Sequence, residues 1–242
     1  MWSGPRNIST AMMRAFGNRP DTAVIDEPFY AAYLAATGID HPMRAETLAS
    51  QPHDWRDVAR DLIGKVPQNR AIFYQKHMTH HMLPAFGVDW MAHCRNAFLI
   101  RHPARVLASY HAKRQSVTLD DIGIARQVAL FRAVCDRTGE KPPIIDADDL
   151  LAAPEPALHA LCAALHIPFL PCMLHWPAGP RDTDGAWAPS WYHAVNESTA
   201  FGPPSPVPPP FDAALRRMED AATPLYNELF AHRLLSLRAA PP

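Results

Sequence analysis

The segment "NAFLIRHPARVLASYHAKR" constrains the fold more than any other stretch of the chain. Residues 97–100 are apolar without alternation, as in a strand buried on both faces of a parallel sheet. Pro103 follows almost at once, suited to the first position of a helix that continues through "ARVLASYHAKR". The same punctuation recurs along the chain. "TAVIDEPF" reads as a short strand ending in acidic residues, and "RAIFYQKHM" as another, with Ile72, Phe73 and Tyr74 as its apolar run. "PPIIDADDLLAAP" reads as a strand and turn. "EPALHALCAALHI" is the helix after it, placing Leu158, Leu161, Cys162 and Leu165 on one face. Strands alternating with helices predict an α/β fold: a three-layer α/β/α arrangement around a mostly parallel sheet. Residues 1–242 are expected to form one domain.

The chain opens on "MWSGPRNISTAMMRAF", a turn that enters a helix. Such a turn exposes backbone N–H groups beside the positive end of the helix dipole, a ready anion site. Arg6 adds charge, Ser9 and Thr10 add hydroxyls, and either hydroxyl can cap the helix that Gly17-Asn18 ends. A nucleotide-gripping Walker loop would carry Lys before Ser/Thr; here Ile8 stands there. Only Met1 and Trp2 precede "SGPRN", so either the first strand is very short or residues upstream complete it. The tail differs in character. "GPPSPVPPPF" reads as an extended surface crossover over about residues 202–210. A last helix, about 211–236, is expected to break near Pro224.

With a net charge of -1, no basic field points to nucleic acid, so an anionic ligand must be met by a few placed cations. No apolar run approaches the roughly 18 residues that span a bilayer, and no leader precedes the first motif. The expected setting is cytoplasmic, with no membrane partner. Cys94, Cys135, Cys162 and Cys172 lack zinc spacing and read as buried reduced thiols. His77, His80 and His81 would share a helix face, but the strand pattern before them argues against a helix, and no metal is expected.

Three motifs together resemble the sulfotransferases that use 3′-phosphoadenosine 5′-phosphosulfate (PAPS). In that family a loop after the first strand grips the 5′-phosphosulfate; the matching residues are Arg6, Asn7, Ser9 and Thr10. A second segment grips the 3′-phosphate, matched by Arg101, Pro103 and Ser109 at the family's eight-residue spacing. "DADDLLAAPEPALHALCAALHIPF" is similar to a third family segment. The family usually has Gly where Ile8 stands and often an aromatic at Ala11. Its late basic loop over the nucleotide is suggested by "GPRDTDGAWAPSWY", with Arg181 and Gly185. The resemblance implies a P-loop-like α/β fold, PAPS as co-substrate, no metal, and a small-molecule or carbohydrate acceptor. Arg6 would neutralise charge on the departing phosphate.

The acceptor's proton needs a base, and two residues compete. Glu27, in "VIDEPFYAAY", follows a strand and is followed by Pro28; some family members place a glutamate base at a comparable point. His77, in "YQKHMTHHMLP", resembles the family's "KTH" histidine, though matching it puts Gln75 at the lysine position and leaves Lys76 one step off. Glu27 is favoured; Asp26 would serve structure. "WAPSWYHAV" is a candidate wall of an acceptor pocket. A sulfotransferase fold that binds nucleotide without transfer stays open, as does a P-loop nucleotide kinase, against which the missing lysine counts.

Overall fold

The computed structural model describes residues 1–111, 117–204 and 211–235. Strand β1 is Trp2–Ser3 and leads into helix α1, Ser9–Gly17; β2 is Thr22–Asp26. Three helices follow: α2 (Tyr30–Thr37), α3 (Arg44–Ser50) and α4 (Trp55–Leu62). Strand β3, Ile72–Met78, is followed by β4, Phe98–Ile100, and then α5, Pro103–His111. Helices α6 (Leu119–Ile122) and α7 (Ile124–Thr138) precede β5, Ile144–Asp146, with α8 (Ala147–Ala152) and α9 (Pro154–Ala164) after it. The chain continues through the one-turn helices α10 (Ala188–Trp191) and α11 (His193–Asn196) to α12, Ala213–Phe230.

The five strands form one sheet in the order β2-β3-β1-β4-β5, and every pairing is parallel. The fold is therefore the expected α/β type. Alternation along each strand sends side chains to two apolar layers. Trp2, Phe98 and Ile144 pack with Val58 and Leu62 of α4, Phe131 and Val134 of α7, and Leu215 and Leu229 of α12. Leu99, Tyr74 and Ile145 face the other layer, built on Met12, Met13 and Phe16 of α1 and Leu158 and Leu161 of α9. Central β1 is two residues long, yet both edges are paired: Trp2 and Ser3 lie beside His77 and Met78 on one side and Phe98 and Leu99 on the other. The chain leaves β1 between strands that continue in opposite directions along the sheet, the crevice where open parallel sheets bind ligands.

Two expectations are corrected. Helix α1 is entered by Ile8 rather than capped by Ser9 or Thr10; both hydroxyl residues lie inside its first turn. Helix α12 runs through Pro224 without a break. The proline's missing N–H leaves the Asp220 carbonyl without its helical donor, and Asp220 is exposed, so the cost of that lost bond is small. The last six residues of the proline-rich crossover, 205–210, lie outside the described residues, as do residues 112–116 and 236–242.

Candidate active site

Four segments meet at the carboxyl ends of the strands and enclose a cavity of about 430 Å³. The first is the loop after β1. Gly4 starts it where a β-carbon would come within 2.5 Å of the Ile122 carbonyl oxygen, so only glycine fits. Arg6 (φ 62°) and Ile8 (φ 56°) both adopt the left-handed backbone, which for a β-branched residue is costly. Glycine would adopt that conformation without steric cost, and Ile8 does not. The first helical bond runs from Met12 N–H to the Ile8 carbonyl (3.1 Å), so the N–H groups of Ser9, Thr10 and Ala11 precede the ladder.

The second segment is the end of β4 with α5. Arg101 reaches back and donates from Nη1 to the Arg6 carbonyl at 2.8 Å. Arg6 donates from Nε to Ser109 Oγ at 2.8 Å. Asn7 Nδ2 donates to the Leu99 carbonyl at 3.2 Å, pinning the loop to β4. Arg6, Asn7, Ser9, Thr10, Arg101 and Ser109 thus gather on one wall. Burial lowers the pKa of both Arg6 and Arg101. Each cation has lost water and gains from an incoming anion.

The third segment is the end of β2. Glu27 is buried and holds a left-handed backbone, φ 39°. Its N–H donates to the Lys76 carbonyl at 2.9 Å, and its carbonyl accepts from Gln51 Nε2 at 3.1 Å. Lys76, on β3, donates from Nζ to Glu27 Oε1 (2.7 Å), Asp26 Oδ1 (2.8 Å) and the Tyr192 hydroxyl (2.6 Å). Burial raises the Glu27 pKa, Lys76 pulls it down and Asp26 pushes it up again; the result is about 7. A carboxylate poised there is suited to general-base work near neutral pH.

The fourth segment supplies aromatic walls: Trp187, Trp191 and Tyr192, facing Tyr30 and Tyr33 of α2. Tyr30 stacks on His81 with ring centroids 4.3 Å apart. Residues 184–192 are tied down at Tyr192 and at two points before it. Asp184 takes a bidentate ion pair from Arg14 of α1, one arm at 2.7 Å, and Asp26 accepts from the Gly185 N–H at 3.1 Å.

Two predicted residues are not brought to this cavity. His77 sits on the opposite face of the sheet, stacked on Trp2 at 4.3 Å with Phe29 and Trp90 nearby. A strand alternates, so Lys76 on the cavity side forces His77 to the other. Burial lowers its pKa well below the usual histidine value. Arg181 turns its side chain to the Pro177 carbonyl (3.0 Å) and does not line the cavity. Sequence reasoning missed Lys76 as a site residue, although the period of two in "IFYQKHM" places it with Tyr74 and against His77. It also missed the Arg14–Asp184 pair, which no local pattern announces. Among the described residues no cluster of three or more His, Cys, Asp or Glu could hold a metal ion. No helix of the described residues is long and apolar enough to cross a membrane.

A parallel sheet with a loop after its central strand that enters a helix, and charged residues at its carboxyl edge, defines a P-loop-like α/β protein. A family model described as a sulfotransferase domain matches residues 1–233, and the chain belongs to that family. Two curated proteins of Arabidopsis thaliana, branched-chain-amino-acid aminotransferase-like proteins 1 and 2, are each 37% identical to it over 246 residues. The match covers 100% of this chain and 44% of each relative, so the chain spans less than half of their length. Among solved structures, a sulfotransferase from Alicyclobacillus acidocaldarius is 13% identical and covers 98% of this chain and 96% of its own, with a TM-score of 0.57. The sulfotransferase domain of the Synechococcus PCC 7002 olefin synthase is 15% identical, covering 97% and 94%, with a TM-score of 0.51. At these identities the likeness is one of fold.

Proposed function

We infer that the protein transfers a sulfonate group from PAPS to a hydroxyl or amine of a small-molecule or carbohydrate acceptor. The observation that carries this reading is one cavity that brings the cations and N–H groups of the loop after β1 together with the buried carboxylate of Glu27. The cradle fits the co-substrate's chemistry. The loop N–H groups and Arg6 suit a 5′-phosphosulfate, while Arg101 and Ser109 suit a 3′-phosphate. When bound, PAPS supplies a sulfonate on a good leaving group. The chain's residues then position and neutralise. An acceptor oxygen or nitrogen held between Glu27 and the loop forms a bond to sulfur as the bond from sulfur to the bridging phosphate oxygen breaks. Glu27 takes the acceptor's proton, and Arg6 with the N–H groups meets the charge left on the phosphate. The aromatic wall of Tyr30, Tyr33, Trp187 and Trp191 offers flat apolar surface to the acceptor.

Thermal unfolding in the presence of 3′-phosphoadenosine 5′-phosphate, or separately ATP, tests the donor site. The bisphosphate is expected to raise the melting temperature more than ATP does, because a ligand of the native state stabilises it by mass action. Arg101→Ala should remove that preference; an unchanged melting temperature with bisphosphate would sink the reading. Labelled PAPS with a panel of alcohols, phenols, sugars and amines then tests transfer. Glu27→Gln should lower the rate by about 10²-fold or more while bisphosphate binding persists. Binding without transfer to any acceptor would favour a nucleotide-binding protein of the same fold.

A further inference from the structure

The cluster behind Glu27 is more elaborate than holding one side chain requires. Lys76 is 1% exposed, and an ammonium has three protons to donate. All three are used, on Asp26, Glu27 and Tyr192. None is left for a ligand in this arrangement, so Lys76 acts on the protein itself. Tyr192 accepts from Lys76 and gives its single proton to Asp26 Oδ2 at 2.6 Å. Glu27 is therefore gripped through Oε1, while Oε2, 3.9 Å from His81 Nδ1, lies outside the clamp. Burial keeps His81 well below the usual histidine pKa, so that neighbour is neutral. The other groups facing Glu27 are Asp26 at the end of its own strand, Lys76 from β3 and Tyr192 after α10; Arg6, Tyr30, His41, His80 and Arg101 are among those that share its cavity.

We propose that Lys76, Asp26 and Tyr192 are positioning residues for Glu27: they fix the carboxylate through Oε1, leave Oε2 to take the acceptor's proton, and set its basicity without touching the acceptor. The proposal rests on Glu27 being the base. One cation lies between two carboxylates, so the two charges act on Glu27 in opposite senses. Lys76 favours its ionised form, and Asp26, competing for the same ammonium, opposes it. Tyr192 draws part of Asp26's charge and part of Lys76's, and so ties the aromatic wall to the base.

The test reads Glu27 directly. Protein labelled with ¹³C at glutamate carboxyl carbons is titrated by NMR, with the Glu27 signal assigned by its loss in Glu27→Gln. Asp26→Asn, nearly the same shape, should move the Glu27 midpoint down by about one pH unit or more, and Lys76→Met should move it up by a similar amount. The pH profile of sulfonate transfer should follow in the same directions. Midpoints that stay put, or that move the same way in both variants as general loosening would cause, overturn the proposal. If Lys76→Met does not fold, Asp26→Asn alone decides: a downward shift supports the proposal and its absence refutes it. If the midpoints move as expected but the transfer profile does not, the clamp on Glu27 stands and its role as the base falls.

Discussion

Glu27 combines two costs that a purely structural residue would not keep. Its backbone sits at φ 39°, and its carboxyl is buried beside another carboxylate. Strain of this kind gathers at functional sites, where surrounding bonds hold it. The pH dependence of stability follows. The folded state keeps the Glu27 proton up to about pH 7, whereas an ordinary glutamate loses it near 4.5. The native state therefore binds more protons across that window, and stability falls as pH rises through it. Urea unfolding of Glu27→Gln at several pH values should show that fall removed. His77 acts in the opposite sense. It is neutral when folded and titrates near its usual value when unfolded, so it costs stability as pH drops below that value. Its Nδ1 is buried without a hydrogen-bond partner. His77→Leu should reduce the loss of stability between pH 7 and pH 5 and leave the pH profile of transfer unmoved. A changed profile would bring His77 back as a base.

At the scale of elements, α12 departs most from expectation. Pro224 is exposed in the middle of an 18-residue helix. Its neighbours Leu215, Ala222, Tyr226 and Leu229 keep an unbroken buried stripe, and the packing of that stripe outweighs the proline. Replacing it restores one helical bond, so Pro224→Ala is expected to stabilise the fold by about 1–3 kcal/mol in denaturant unfolding. The strands were the legible part of the sequence. The apolar runs at Ile72, Phe98 and Ile144 are short, β-branched or aromatic, and bounded by turns, and each is a strand of the sheet. The one-turn helices α10 and α11 were not legible, because tertiary ties through Tyr192 and Asp184 shape them, not periodicity. Helices α2 to α4 and α7 lie outside the motifs that the sequence announces, although their sequences permit helix. For the site, residue types were readable where a motif fixes them, as with Arg6 and Arg101. Which of Glu27 and His77 lines the cavity depends on the face of β3, which a one-residue shift in matching the "KTH" pattern reverses.

The molecule as a whole joins its two working walls through residues far apart in sequence. Arg14 belongs to the anion-loop helix, and its ion pair with Asp184 is almost fully buried, with side chains 2% and 4% exposed. Asp184 carries the segment whose Tyr192 reaches the Glu27 cluster. Asp184→Asn leaves a buried guanidinium without its counter-charge and should cost about 3–5 kcal/mol. Limited proteolysis should then cut within residues 181–196 faster than in the parent protein, and an unchanged pattern would mean that the segment holds itself. The shortness of β1 has a further consequence, for the order of assembly. A parallel strand cannot persist alone, and the partners of β1, His77–Met78 and Phe98–Leu99, come later in the chain from both sides. The slot for β1 exists only once β3 and β4 stand together. During refolding, capture of 3′-phosphoadenosine 5′-phosphate should therefore lag behind the recovery of far-ultraviolet helical signal. The anion loop, though it opens the sequence, would be the final piece to lock.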